Sequence, residues 1–572
     1  MRYMTWLALV LASISVSAQI PSSQTSDTVD VIVRFKPSPD SVGQRRFAAH
    51  GASYKRQLSL IGAHVYTVHS RDLELLKSDP DVEYMSVDHP VAATSTLPPL
   101  SPDYGWMVAL DLSSITATVP YDGTGIGVAV IDSGITVSSD LQTTAGKSRV
   151  VYARSFVPGD SNTADAYGHG TMVAGLIGGN GAQSSATSPS YIIRGIARNV
   201  NLISLRVLDQ NGSATDSTVI AAIQQAIALK SQYNIRVINL SLGRSVFESY
   251  TQDPLCQAVE QAWKAGIVVV VAAGNDGRNN SFGTQGYGTI NVPGNDPYVI
   301  TVGAMNTGGT LSRSDDKIAS YSSKGPTSVD HVVKPDLVAP GNRVSSLQAS
   351  NSTLVKTYSN NRVPWSMYNP AMQASPSPAY FYLSGTSLST PVVSGAVALM
   401  LQKNPALTPD QIKARLMKTA QKLPAIMTTA VDPDTGVVYT DENDVFTIGA
   451  GYLDVQAALN STDLGTAPAI SPTATHDAST GNVTLVTGSN TLWGTNVLWG
   501  TGAVWGTNVL WGSNTLWGTG AVWGTGAVWG TNTLWGTGAV WGTNAVWGSN
   551  TLWGTASNVQ GTAMTVALDG DR

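Results

Sequence analysis

The sequence predicts an α/β fold: a mostly parallel sheet flanked by helices, preceded by a small α+β unit and followed by a repeat tail that is β-type or partly disordered. Three observations predict it. From about residue 103 to residue 460, apolar runs rich in β-branched residues alternate with helical patterns. Such runs are buried on both faces, as parallel strands are, and the βαβ rhythm describes an open sheet covered on both sides. Residues 28–92 hold strand and helix patterns of their own, and from Trp493 to Trp553 a tryptophan returns every six residues.

The elements follow in chain order. Residues 1–18 read as an export signal. Arg2 supplies the positive start, Trp6 to Val16 form a short apolar stretch, and Val16-Ser17-Ala18 places small residues before a cleavage point at Gln19. The apolar run is too short to span a bilayer. In residues 28–92, "DVIVRFK", "AHVYTVH" and "EYMSV" read as strands, and "DSVGQRRFAAHG" and "RDLELLKSDPDV" as helices. Residues 93–102, inside the Pro/Ser/Thr-rich stretch "HPVAATSTLPPLSPDYGW", read as a linker. In residues 103–460 the strands are "GIGVAVID", "VNLISLRVLD", "RVINLSLG", "GIVVVVAAGN" and "YVITVGAM". The helices between them are "GHGTMVAGLIGG", "DSTVIAAIQQAIALKSQY" and "DPLCQAVEQAWKAG". Residues 461–487 read as a second linker, 488–555 as the repeats and 556–572 as a C-terminal tail.

Composition narrows the function. The chain has 572 residues and a net charge of −5, so no basic field invites nucleic acid. Beyond the first segment no apolar run is long enough to cross a bilayer. Cys256 is the one cysteine, so no internal disulfide forms. It lies in an amphipathic helical pattern without the electropositive setting that activates a thiol, and reads as a buried structural residue.

Three short stretches carry chemistry. "VAVIDSGI" ends a buried strand in Asp132, "YGHGTMVAG" opens a helix of small residues at His169, and "LSGTSLSTPVVSGAVALML" enters a long apolar helix at Ser387. Alone, each has a bland reading: a turn former, a structural histidine, an N-cap serine. Together they supply a nucleophile that needs a base, a base that needs orienting, and a carboxylate to orient it. All three fall at strand ends or helix starts of one sheet, where active sites of open α/β folds collect. Ser387 at a helix N-terminus puts its own backbone N–H beside a developing oxyanion. Asn275, ending the strand "VVVAAGND", offers a side-chain amide as a second donor.

"VIDSGI", "GHGTMVAG", "NLSLG", "VVVAAGN", "KPDLVAPG" and "SGTSLSTP" resemble the signature segments of subtilisin-like serine proteases, in the family's order. The resemblance implies a subtilisin-like sheet with Asp132 as orienting acid, His169 as general base and Ser387 as nucleophile. It implies an oxyanion hole formed by Asn275 and the Ser387 backbone N–H. It implies that Ser241-Leu242-Gly243 is an edge strand that pairs with extended substrate, and that this strand and Ala272-Ala273-Gly274 wall the primary pocket. Small residues there lead to the expectation of a roomy apolar slot and cleavage after large apolar residues, with Asp276 at the rim. Residues 28–92 resemble the family's inhibitory propeptide, which templates folding, blocks the site, and is released by a self-made cut between about His89 and Tyr104. The expected partners are protein or peptide substrates and the chain's own propeptide. No cofactor is expected. Many family members bind calcium in the loop after the histidine helix, but "GGNGAQSSATSPSYIIRG" lacks carboxylates and does not support it. The stretch Leu347–Tyr382 is expected to be a surface flap or a passive insertion.

Trp493, Trp499, Trp505, Trp511, Trp517, Trp523, Trp529, Trp535, Trp541, Trp547 and Trp553 define the repeat. Its glycine content and period exclude an α-helix, whereas an even period puts every Trp on one face of a strand. A β-solenoid and a string of hairpins both fit, with disorder as a third form. Stacked indoles suit sugar rings, so one reading anchors the protein to polysaccharide or cell envelope. The other is a stalk or secretion-related tail without a ligand. The whole chain thus reads as a secreted, self-processing serine endopeptidase. The rival is a surface binding or structural protein with a vestigial protease domain, against which all four site positions carry competent side chains.

Overall fold

The computed structural model describes residues 28–93 and 120–486, apart from short breaks at 38–41, 186–191, 282, 311, 370–374, 425, 433–435, 466–467 and 478–481, and two fragments of the repeat, 515–517 and 529–530. The export signal, nearly all of the 93–102 linker and residues 556–572 lie outside the described residues, as does most of the repeat.

The N-terminal unit begins with strand β1 (Thr28–Phe35) and helix α1 (Val42–Ala49). Then come β2 (Ser53–Leu58), β3 (Ala63–His69), α2 (Leu73–Lys77), β4 (Val82–Val87) and the short strand β5 (Pro90–Ala93). The first four strands form one antiparallel sheet in the order β2-β3-β1-β4. Alternation along β1 divides its apolar residues between two cores. Val31 and Val33 face inward with Phe47, Tyr66, Val68, Leu76, Val82 and Met85. Ile32, with Leu58, Ala63 and Val65, joins the core of the large domain instead. The sheet is therefore buried on both faces. β5 leaves this sheet altogether and pairs with the large domain.

The large domain opens with β6 (Gly127–Asp132), β7 (Val150–Ser155), α3 (His169–Gly178), β8 (Asn201–Arg206), β9 (Ser213–Thr215) and α4 (Asp216–Ala228). It continues with β10 (Ile235–Leu240), β11 (Leu242–Gly243), α5 (Pro254–Lys264), β12 (Val268–Ala272), β13 (Ile300–Asn306), β14 (Lys317–Ile318) and β15 (Leu337–Pro340). Its sheet has the order β14-β13-β12-β10-β6-β8-β7, with β15 also beside β13. Every pairing in it is parallel except β13 with β14. The five strands read from the sequence are β6, β8, β10, β12 and β13. They are almost wholly buried, as continuous apolar runs require. Strand β7 was not among them: it lies at the sheet edge, half exposed, with Tyr152 and Arg154 breaking the apolar run.

Two helix pairs cover the sheet. Helix α3 packs on the long helix α7 (Thr386–Lys403), and α4 packs on α5. The N-terminal unit docks on the second pair through β2 and the turn Ser59–Ile61. The Ser217 N–H at the start of α4 donates to Asp88 Oδ1 at 2.8 Å, so a carboxylate of the N-terminal unit caps that helix. Tyr84 Oη donates to Glu248 at 2.6 Å and Arg34 Nη1 to Gln257 at 2.9 Å along the same interface.

Two segments differ from the expectations of a surface flap or passive insertion and of a linker. Before the nucleophile helix, β16 (Val344–Leu347), α6 (Thr353–Thr357), β17 (Arg362–Pro364) and β18 (Pro376–Leu383) form a three-stranded antiparallel sheet with a short helix. Tyr380, Phe381, Tyr382 and Leu383 are buried core residues, and Ser346 Oγ donates to the Met172 carbonyl of α3. The tyrosines that read as surface residues find partners inside: Tyr380 Oη donates to the buried Asp140 at 2.7 Å. Within residues 461–486 a hairpin, β19 (Thr473–Asp477) with β20 (Asn482–Val486), puts Ala474 and Leu485 into the large core. Ser471 Oγ donates to the buried Asp336 at 2.6 Å. Short polar residues thus serve as hydrogen-bonding groups here, not as spacers. In the repeat, the described fragments pair antiparallel with Trp517 opposite Trp529, two repeat units apart.

Candidate active site

Asp132, at the C-terminal end of β6, and His169, at the start of α3, are both fully buried and in contact. His169 Nδ1 lies 2.8 Å from Asp132 Oδ1 and 3.0 Å from Oδ2. A carboxylate only accepts, so Nδ1 carries the proton and Nε2 of the neutral ring is left as the acceptor. The flanking glycines allow this approach. A Cβ on Gly170 would overlap the Gly134 carbonyl and lie 3.2 Å from Asp132 Cβ, and Gly168 has φ +111°, where a side chain is strained.

The acid end is deeply anchored. Asp132 Oδ1 also accepts from the Ser133 N–H at 2.7 Å. Ser133 Oγ donates to Asp165 Oδ1 at 2.8 Å and accepts from the Gly170 N–H at 2.9 Å. Asp165 further accepts from Gly168 N–H at 2.6 Å and Thr171 N–H at 2.8 Å, binding the first turn of α3. Burial raises its carboxyl above the usual range, offset by these donors. Asp165 was not found from the sequence: it stands three residues before the N-cap Gly168, outside the position where a helix cap is read.

Ser387 lies in the first turn of α7, fully buried. Its carbonyl accepts from Ser241 Oγ at 2.7 Å, and Ser241 Oγ in turn accepts from Asn239 Nδ2 at 2.9 Å. Asn275 Oδ1 accepts from the Thr386 N–H at 3.0 Å and from Thr386 Oγ1 at 3.1 Å. This fixes the carboxamide with Nδ2 turned away from Thr386. Thr386 Oγ1 also accepts from the Gly274 N–H at 3.1 Å, joining the Ala272-Ala273-Gly274 segment to the start of α7. Among the described residues, His169 Nε2 and Ser387 Oγ have no hydrogen-bond partner, although both are buried.

The expected edge strand is present as β11, with Ser241 just before it. β5 of the N-terminal unit lies between β11 and β9 and pairs antiparallel with both. Leu242 faces Ala93 and Gly243 faces Ala92 on one side; Ser213, Ala214 and Thr215 face Ala92, Val91 and Pro90 on the other. The Ala93 N–H donates to the Gly212 carbonyl at 3.0 Å and the Asp216 N–H to the His89 carbonyl at 3.0 Å. Arg244 follows β11 and is buried with Asp216 and Asp253, donating at 2.9 Å and 2.6 Å. Burial works against its charge, but the two carboxylates hold the guanidinium above its ordinary value. Cys256 is buried with its Sγ donating to Asn295 Oδ1 at 3.2 Å, and burial raises its thiol pKa. Among the described residues no cluster of three His, Cys, Asp or Glu side chains could hold a metal ion, and no helix is long and apolar enough to cross a membrane.

Fold and site together define a subtilisin-like α/β protein. Residues 123–451 match the Subtilase family. The chain is 38% identical to Serine protease AprX of Bacillus subtilis over 309 residues, which span 52% of this chain and 62% of that one. It is 30% identical to Subtilisin E of the same species over 462 residues, 79% of this chain and 96% of that one. Its structure is similar to fervidolysin from Fervidobacterium pennivorans, a keratinolytic enzyme related to subtilisin, with a TM-score of 0.54 at 21% identity over 77% of this chain and 62% of that one. The chain belongs to the subtilase family and is by class a serine endopeptidase, a hydrolase of peptide bonds in proteins or peptides.

Proposed function

We propose that the protein is an exported serine endopeptidase, made as a precursor that its own N-terminal unit inhibits and that it processes itself. Ser387 is the nucleophile, His169 the general base and Asp132 the group that fixes the base. Substrate pairs with β11 and β9 as an extended strand. Ser387 Oγ then bonds to the scissile carbonyl carbon, its proton passes to His169 Nε2, and the carbonyl oxygen takes the negative charge. Asn275 Nδ2 and the Ser387 N–H donate to that oxygen, with the N-terminal dipole of α7 behind them. Collapse breaks the C–N bond as His169 returns the proton to the leaving amine, and water repeats the sequence on the acyl-enzyme.

The observation that carries this reading is the pairing of a Asp132-bound histidine, its Nε2 unengaged, with an equally unengaged buried serine at the start of a packed neighbouring helix. The inhibitory role of residues 28–92 rests on β5, which occupies as a middle strand the place an extended substrate would take. Export rests on the pattern of residues 1–18. The repeat is read either as a tether to polysaccharide or cell envelope or as a stalk or secretion-related tail without a ligand, and failure of the full chain to be retained on insoluble polysaccharide would remove the first. Labelling with a fluorophosphonate, followed by peptide mass spectrometry, tests the mechanism. The adduct is expected on the peptide bearing Ser387 and is expected to vanish in His169→Ala; an adduct elsewhere contradicts the assignment.

A further inference from the structure

The segment that runs from β16 through α6 joins two loops that flank the active site. The first is the loop before His169. The Thr353 N–H donates to the Ala166 carbonyl at 2.9 Å, and the Leu354 N–H to the Tyr167 carbonyl at 2.9 Å. Ser352 lies against the next residue, since a Cβ on Gly168 would overlap Ser352 Oγ. Further along, Ser346 Oγ donates to the Met172 carbonyl at 2.8 Å, and a Cβ on Gly175 would overlap that same Oγ, so β16 rests on α3 itself. The second loop leads into β9. Thr353 Oγ1 donates to the Gln210 carbonyl at 2.8 Å. Asp209 Oδ1 accepts from the Asn211 N–H at 2.8 Å and the Ser213 N–H at 3.0 Å, which holds Asp209–Ser213 as one tight turn. Within that turn the Gly212 carbonyl accepts from the Ala93 N–H of the docked strand. The two loops also touch directly: a Cβ on Gly212 would lie 2.6 Å from Tyr167 Cζ, so the ring rests where a side chain would be. Leu354 and Val355 are buried in the large core, which makes α6 a fixed post between the loops.

We propose that Thr353 is a positioning residue that couples the pairing of substrate with β9 to the placement of His169. The proposal rests on the protease reading given above. One residue carries both bonds: its backbone N–H goes to the side of the base, its hydroxyl to the side of the substrate. A strand that bonds to the Gly212 carbonyl fixes the Asp209–Ser213 turn. Through the Gln210 carbonyl and Thr353, the same contact fixes the Ala166 carbonyl, in the loop that leads directly into His169. Binding energy gained away from the scissile bond then goes into orienting the base, which raises kcat and does not merely lower KM. Asp165 holds the same loop from its buried side, through the N–H groups of Gly168 and Thr171. The loop is thus gripped from two sides, and the Thr353 grip leads on to the substrate strand.

The test uses the full chain after self-processing and two p-nitroanilides, acetyl-Phe and acetyl-Val-Ala-Ala-Phe, the longer carrying the Val91–Ala93 sequence of β5. In the unaltered enzyme the extension is expected to raise kcat about tenfold as well as to lower KM. Thr353→Val keeps the β-branched shape and the N–H but loses the bond to Gln210, and its kcat gain on extension is expected to fall to about threefold or less. Thr353→Ser returns the hydroxyl and is expected to return most of the gain. Thr353→Pro removes both bonds at a position suited to proline, the first residue of α6 after an extended Ser352 with φ −74° and ψ 162°. It is expected to lower kcat on the short substrate as well, by about threefold to tenfold. Since each gain is a ratio within one variant, a loss of folded enzyme cancels. An unaltered enzyme whose kcat does not rise on extension, a gain that survives Thr353→Val, or a Thr353→Ser gain no larger than that of Thr353→Val would overturn the proposal. Cleavage of the same substrates by Ser387→Ala would instead overturn the protease reading beneath it.

Discussion

The two ends of the Asp132–His169–Ser387 arrangement are built differently. At the acid end every group is tied down. Asp132 holds His169 and the Ser133 N–H, and Ser133 and Asp165 hold the turn that carries the histidine. At the other end, His169 Nε2 and Ser387 Oγ are buried without hydrogen bonds, while the backbone and neighbours around Ser387 are fixed by Ser241, Thr386 and Asn275. Other buried side-chain atoms among the described residues, such as Ser138 Oγ and Ser204 Oγ, also lack a hydrogen bond, but these two are an imidazole nitrogen and a serine hydroxyl at the starts of two packed helices. The difference teaches that the groups that position are held by several hydrogen bonds, while Nε2 and Oγ stay open to a substrate.

Substitutions can break that contrast. Breaking the orienting bond has the largest expected effect: Asp132→Asn should lower kcat by about 10⁴-fold, because an amide favours the wrong tautomer of His169. Steady-state kinetics on a peptide substrate measures this, and a loss below tenfold would show that the carboxylate is not needed. Asn275→Ala should lower kcat by about 10²–10³-fold with KM little changed, since the lost donor acts on the transition state. An effect confined to KM would move Asn275 from the oxyanion to substrate binding. Asp165→Asn should cost up to about 10²-fold by loosening the turn before His169. As a positioning residue, its loss should fall on kcat while fluorophosphonate labelling still reaches Ser387, only more slowly. A purely structural role would instead lower the thermal midpoint and leave the kcat of the folded fraction intact.

The smallest expected effect concerns the docked strand. His89, just before β5, stacks on Phe247 at 4.3 Å, with Arg244 over the same ring at 5.7 Å and Asp253 behind it. Burial, then the Arg244 charge, with Asp253 opposing, lower its pKa from 6.5 to about 4. A lowered histidine pKa means that docking favours the neutral ring. Docking strength is then fully present above pH 6.5 and is lost progressively as pH falls toward 4. Activity released from the processed, still-associated precursor should therefore rise on acidification across that window, and His89→Asn should flatten the response. A pH-independent release would show that the imidazole does not titrate in this step.

The sequence was most legible where burial is two-sided and motifs are short. The runs of β6, β8, β10, β12 and β13 betrayed themselves by apolarity alone, and Asp132, His169 and Ser387 lie, as read, at a strand end and at two helix starts. Strand β7 escaped because an edge strand keeps polar residues. The β16–β18 sheet escaped because tyrosines hydrogen-bonded inside, such as Tyr380 to Asp140, look the same in sequence as tyrosines in solvent. Asp165 escaped for another reason: its role comes from contacts with Ser133, Gly168 and Thr171, which chain order does not reveal.

Ser387→Ala in the full-length precursor tests the account most directly, because it removes one oxygen and leaves the helix, the docked strand and the oxyanion donors in place. The account predicts a folded chain that stays a single uncut species and hydrolyses no casein, while the unaltered precursor separates its N-terminal unit and becomes active. A Ser387→Ala precursor that still cuts itself, or that retains casein hydrolysis, would contradict it.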